Sequence, residues 1–160
     1  MLKLRKIVTA FLNYGDKILL MKRSPNKKIA PNLWYGVGGH MEPQEINDPY
    51  TSIYREIFEE TRINKDKIAD LNLKYIVYNR ETEKQEIVVN YIFHGKVNSH
   101  DLVSNNEGTL HWVYRDKVLE KDYHPAIRLI LEKYLSNWQE DLLLGVVNKE
   151  NSSIQWETMK

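Results

Sequence analysis

Three glutamates, Glu56, Glu59 and Glu60, fall at i, i+3 and i+4 in the stretch DPYTSIYREIFEET, directly after a glycine-rich acidic loop, GGHMEPQE. On a helix these positions are neighbours, so three like charges are brought together, which is destabilising unless a cation sits between them. Arg55 can reach Glu59 one turn on and can reach back to the loop, but one guanidinium does not balance the cluster. Hard divalent cations such as Mg2+ take oxygen ligands and keep several waters, so carboxylates beside a glycine loop form a platform for a metal facing a phosphate-bearing substrate. A Glu-rich helix face taken alone is more often a solvated surface. The glycines, Glu45 and the Arg-Glu-apolar-x-Glu-Glu run, in order within one short window, reverse that reading.

The elements around these residues must position them. Asp48 is a good N-cap, and Pro49 suits the first helical position, where its missing N–H would have had no partner in any case. Ile53 and Ile57, four apart, predict an inward stripe, which Tyr54 and Phe58 widen on a neighbouring face. Gly38 and Gly39 let the backbone approach a ligand closely.

The window from Gly38 to Ile63 resembles the Nudix box, usually G-x5-E-x7-R-E-U-x-E-E-x-G-U with U aliphatic. Gly39, Glu45, Arg55, Glu56, Ile57, Glu59, Glu60 and Ile63 fill the matching positions. Nine residues separate Glu45 from Arg55 where the family pattern has seven, and Arg62 stands where it has the late glycine. The extra residues are placed at Asn47 to Pro49, before the helix, since an insertion inside it would rotate the carboxylate face. Arg62 bears on the helix exit, where glycine normally supplies a left-handed residue.

The resemblance implies a Nudix-type α/β/α sandwich, with a mixed β-sheet between helices, over roughly Lys3 to Leu135. It implies a divalent cation, Mg2+ with Mn2+ as the substitute, held by Glu56, Glu59, Glu60 and a carbonyl near Gly39. Bound there, the cation would neutralise a diphosphate, polarise a phosphorus–oxygen bond and acidify a water that attacks phosphorus. Glu56 or Glu107 would take the water's proton, Glu60 would share in catalysis, and Arg55 would hold Glu45 and Glu59 in place. Glu107, on a loop before Gly108 and the Trp112 strand, resembles a glutamate that completes the site in several Nudix hydrolases. Trp34, five residues before Gly39, matches a frequent family pattern and, with His40 and Glu45, joins the substrate-side set. His40 is open to two readings, a phosphate contact or an ordinary loop histidine.

The activity so implied is hydrolysis of a pyrophosphate bond in a nucleoside diphosphate linked to another moiety. A MutT-like compact domain suggests a nucleoside triphosphate or an oxidised nucleotide, with ADP-ribose, dinucleoside polyphosphates and nucleotide sugars open. The rival is a Nudix-fold sensor that binds a nucleotide without cutting it, which loss of box carboxylates would favour; all are retained here. A homodimer is a family expectation.

The remaining chain fits this frame. Its 160 residues, 28% of them charged, suit a single globular domain over 1–160 with a strand-turn-strand extension at about 142–160. A net charge of +1 gives no field for a nucleic-acid polymer or an anionic membrane. The absence of cysteine excludes disulfide and thiolate chemistry and makes a cytoplasmic location the default. The basic N-terminus reads as a strand, its apolar run Ile7 to Leu12 being short and interrupted by Thr9.

NYGDK predicts a hairpin joining that strand to KILLMKR, and IVVNYIFHGKV pairs with LKYIVYNR as a second hairpin, after a charged connector at Asn64 to Asp70. Lys27 and Lys28 lie on a polar loop near the expected substrate entrance, best read as solvated. Tyr75, Tyr78, Tyr91 and Phe93 are candidates to border a base-stacking pocket. His94, His100, His111 and His124 show no metal-ligand spacing. HPAIRLILEKYLSNW predicts a packing helix, with Ile127, Ile130, Leu131 and Tyr134 facing the core.

Overall fold

A computed structural model describes residues 1–99, 101–136, 141–148 and 150–159. Its strands are β1 (Lys3–Tyr14), β2 (Lys17–Arg23), β3 (Trp34–Tyr35), β4 (Val37–His40), β5 (Ile68–Glu81), β6 (Glu86–Val97), β7 (Gly108–Tyr114), β8 (Leu143–Val147) and β9 (Ile154–Thr158). The α-helices are α1 (Pro49–Thr61) and α2 (Pro125–Ser136).

β1 carries the topology. Its residues Val8 to Leu12 are buried without a break, the signature of a strand covered on both faces. It pairs in parallel with β6 from Lys3↔Glu86 to Asn13↔Lys96. On its other edge the predicted β1–β2 hairpin is present but holds only at the turn, through Asn13↔Ile18 and Tyr14↔Lys17. Beyond the turn β2 departs to pair with β3 and β7, and β4 takes its place beside β1 from Ile7↔His40 to Ala10↔Val37. Glycine permits this: Gly38 has φ +156°, and a Cβ on it would stand 2.0 Å from the Val8 carbonyl oxygen. The box loop is therefore stitched into the sheet.

The second predicted hairpin is also present, β5 and β6 pairing from Ile68↔Val97 to Glu81↔Glu86. β5 starts inside the segment expected to be a connector, because Ile68 and Leu71 pack on the core beneath α1. β8 adds in parallel to β5, and β9 returns antiparallel along β8. The sheet separates two cores. Val8, Leu19, Val37, Phe93, Ile53 and Ile57 lie on the α1 side; Phe11, Leu20, Tyr75, Ile127, Ile130 and Tyr134 lie on the α2 side. This is the predicted α/β/α sandwich. Among the described residues no helix is long and apolar enough to cross a membrane.

α1 begins as its sequence requires, with Asp48 Oδ1 accepting the Thr51 N–H at 3.0 Å and Pro49 in the first turn. Of the segment Asn47 to Pro49, where the extra residues are expected before the helix, Asn47 and Asp48 precede it but Pro49 is its first residue. Ile53 and Ile57 are fully buried, but Phe58 is 43% exposed and Tyr54 half-buried, so these rings do not widen the apolar stripe. They sit instead beneath cations, Arg62 over Phe58 and Lys65 over Tyr54.

The helix ends on Arg62 in the left-handed conformation, φ +62°, its N–H donating to the Phe58 carbonyl at 2.9 Å. The geometry a glycine would supply is thus retained by a residue with a Cβ, at a cost of about 1 kcal/mol. Arg62→Gly is expected to raise stability by up to about 1 kcal/mol, read as a higher urea midpoint at unchanged slope. A lower midpoint would mean that the contact with Phe58 outweighs the strain.

Candidate active site

Arg55 joins the loop to the helix. Its Nε and one terminal nitrogen donate to the two oxygens of Glu45 at 2.7 and 2.9 Å, a bidentate pair. The same terminal nitrogen donates to the His40 carbonyl at 3.1 Å, and the other donates to Glu56 at 2.9 Å and Glu59 at 3.2 Å. Glu45 is only 5% exposed, and the Arg55 guanidinium, followed by the Glu42 N–H, holds its carboxyl down to about 2 against the penalty of burial. Arg55 is raised in turn, chiefly by its bonds to Glu45. Glu45 is thereby spent on fixing the loop.

Glu56 and Glu60 behave in the opposite way. Glu60 lies two turns from Ile53 and Glu56 one turn from it, so both point with the apolar stripe toward the protein. Burial raises Glu56, only partly offset by Arg55. Glu60 accepts the Gly38 N–H at 2.9 Å, yet burial, then the charges of Glu56 and Glu107, push it up to about 8. Gly39 lies against Glu56, where a Cβ would come within 2.6 Å of the carboxylate. Glu107 reaches the same place from the loop before β7. Asn105 tethers that loop, donating to the Glu60 carbonyl at 3.2 Å and accepting the Glu107 N–H at 2.8 Å. Lys27 pairs with the Glu107 carboxylate at 2.9 Å, while Lys28 is exposed.

One cavity of about 730 Å3 is lined by Gly39, His40, Arg55, Glu56, Glu59, Glu60 and Glu107 together. Of the residues singled out from sequence, Glu45 lies behind this wall, bonded to Arg55. Trp34 does not line the cavity; its ring stacks against His111 with centroids 5.0 Å apart, and Lys121 lies over it. Its neighbour Tyr35 lines the cavity instead.

The ring set Tyr75, Tyr78, Tyr91 and Phe93 is also absent from the lining. Tyr75 packs on Trp156 and Phe93 on Tyr50, Tyr78 is 40% exposed and Tyr91 is half-buried. His124 lines the cavity, and His100 lies outside the described residues. Sequence reading missed Tyr35, Arg23, Asn79, Asn90 and Asn105. The polar residues Asn79 and Asn90, inside strands otherwise rich in apolar residues, were the available signal.

The donor set fits a hard divalent cation. It is all oxygen, it is glycine-cradled, and its carboxylates Glu56, buried, and Glu60, half-buried, are held above their ordinary range by desolvation. Among the described residues no three acidic or histidine side chains already converge on one point, since Glu56 is drawn to Arg55 and Glu60 to the Gly38 N–H.

A model of the Nudix domain matches residues 3–134. The same fold is seen in a mutator MutT protein from Bacillus halodurans, 20% identical with a TM-score of 0.75 over 96% of this chain and 97% of that one. A Nudix hydrolase from Nitrosomonas europaea is 19% identical with a TM-score of 0.74, over 93% and 81%. A MutT protein from Methanosarcina mazei Go1 is 24% identical with a TM-score of 0.68, over 83% and 94%. With the box in its expected place and the family model covering most of its length, the chain belongs to the Nudix family and is a Nudix hydrolase, of a class that acts on pyrophosphate bonds.

Glu60 gives a pH test. Its folded-state value of about 8 lies above the ordinary 4.5, so the ionised carboxyl penalises the folded state increasingly as pH rises from about 4.5 to about 8 and by a constant amount above that. In metal-free protein, Glu60→Gln is expected to be more stable than wild type at pH 8.5, by on the order of a few kcal/mol, and equally stable at pH 4. Equal melting curves at both pH values would contradict the assignment.

Proposed function

We propose that this chain hydrolyses the diphosphate bond of a nucleoside diphosphate linked to another moiety, a nucleoside triphosphate or an oxidised nucleotide, with Mg2+ or Mn2+ as cofactor. The observation that carries the reading is that Glu56, Glu59, Glu60 and Glu107 line one cavity together with Gly39 of β4. When bound by Glu56, Glu59 and Glu60, a divalent cation supplies charge neutralisation for the diphosphate and a water acidified for attack.

The protein's own groups do the rest. Arg55 keeps the loop and Glu56 in fixed relation through its bonds to Glu45, the His40 carbonyl and Glu56 itself. Glu56 on the helix, or Glu107 on the loop before β7, where Lys27 pairs with it, takes the water's proton. Arg23 lines the cavity and makes a cation–π contact with Tyr35, with its centre 6.0 Å from the ring centroid. It supplies positive charge for phosphate on a wall otherwise rich in carboxylates. The products are a nucleoside monophosphate and the second phosphoryl fragment, which is pyrophosphate when a triphosphate is cut.

The test is phosphate or pyrophosphate release from a panel of nucleoside diphosphate derivatives, with Mg2+ or Mn2+, for wild type and Glu60→Gln. Release that needs the cation and falls by at least about 100-fold in Glu60→Gln is expected. Saturable nucleotide binding without release from any compound would assign the chain to the sensor class instead. Near-normal turnover by Glu60→Gln would overturn the metal assignment.

A further inference from the structure

A second cavity, of about 740 Å3, lies between the loop that follows β2 and the loop that precedes β7. Lys22, Arg23 and Lys27 line it, and no carboxylate does. The box cavity, by contrast, holds six glutamates against four arginine and lysine side chains, so the two cavities are opposite in sign. The two loops are tied at the base of the second cavity. Ser24 N–H donates to the Glu107 carbonyl at 3.0 Å, and Lys27 pairs with the Glu107 carboxylate at 2.9 Å.

These cations have donors to spare. Lys22 is half-buried, and among the described residues its ammonium has no hydrogen bond or ion pair. Arg23 Nε is buried without a hydrogen-bond partner, a costly condition that a ligand acceptor would relieve. An ammonium carries three donors, so Lys27 retains two beyond its bond to Glu107. Asn26, Asn32 and Asn106 add amides to the wall, and no aromatic ring lines it, so nothing there stacks a base. Cations and amides without a ring suit an anion rich in oxygens. A single phosphate would leave most of this volume empty and would not match three cations at once.

We propose that this second cavity is an anion site that takes a chain of phosphates, held by Lys22, Arg23 and Lys27. Arg23 and Asn105 line both cavities and form their common wall. The chain therefore has two sources, the far phosphates of a nucleotide seated at the box or a free inorganic polyphosphate. The site goes beyond the hydrolytic reading, since its occupation needs neither the divalent cation nor turnover.

The test is calorimetric titration of sodium tripolyphosphate into the full chain in a chelating buffer, where no divalent cation can draw the anion to the box. Wild type is expected to bind tripolyphosphate saturably, at least about 10-fold more tightly than inorganic phosphate at matched ionic strength. Lys22→Gln, which removes a cation, and Asn26→Glu, which adds an acid to the wall, should each weaken it at least about 10-fold. Asn26 is exposed on its loop, so Asn26→Glu carries the comparison if Lys22→Gln does not fold. Repeating the titration with the protein saturated by a nucleoside triphosphate separates the two sources. Lost tripolyphosphate binding makes the nucleotide's own phosphates the occupant; undiminished binding makes it a free inorganic chain. No saturable binding, equal affinity for single phosphate, or affinity unchanged in both variants overturns the proposal. Neither Lys22 nor Asn26 lines the box cavity, so that failure would leave the hydrolytic reading standing, and binding without hydrolysis of any nucleotide would sink only the latter.

Discussion

The site depends on the ion pair between Arg55 and Glu45. A carboxylate as buried as Glu45 is costly to ionise unless its oxygens are matched, and the planar guanidinium matches both at once. Such a pair adds little to net stability compared with an apolar replacement. Its value is geometric. With both oxygens of Glu45 fixed, Arg55 still has donors for Glu56, Glu59 and the His40 carbonyl, so one side chain sets the distance between loop and helix. A lysine could not make these bonds together, because its ammonium is a single point with no fork.

Around that pair the carboxylates divide into two electrostatic classes. Glu45, next to the guanidinium, is held down to about 2, while Glu60, half-buried beside Glu56 and Glu107, is pushed up to about 8. The first is settled within the protein and the second is left wanting a cation. A helix that places Glu56 and Glu60 on its apolar side gives up folding stability to keep them there, a local conflict of the kind that marks functional sites.

The sheet makes room for this arrangement by splitting. β1 and β2 part after the turn, β4 fills the edge vacated, and the loop carrying Gly38 and Gly39 becomes part of the sheet instead of a mobile flap. The cavity opens between this edge and the α2 side, where β5 and β6 contribute Asn79 and Asn90. β8 and β9 extend the sheet past β5, with Trp156 covering Tyr75 and closing over Gly145. The Nudix domain match ends at residue 134, ahead of this strand pair.

The sequence by itself determined the box, the limits of α1, the two hairpins, the packing face of α2 and the sandwich architecture. The elements rest on local spacing, in caps, periodicity and glycines read within a few residues of each other, and the sandwich was implied by the resemblance of the box to the Nudix family. It also named Glu56, Glu59, Glu60 and Glu107 as candidate acidic donors, but did not read from the spacing which of them turn toward the protein. Only the tertiary structure decided which rings and amides face the cavity. Tyr75, Tyr78, Tyr91 and Phe93 looked eligible by type, but strand register turned them to the cores or the outer face and brought Tyr35, Asn79 and Asn90 inward. The physical reason is that a side chain's face depends on pairing across strands distant in sequence. Asn90 is bonded to Thr9, a residue 81 positions away, and no local pattern records that bond.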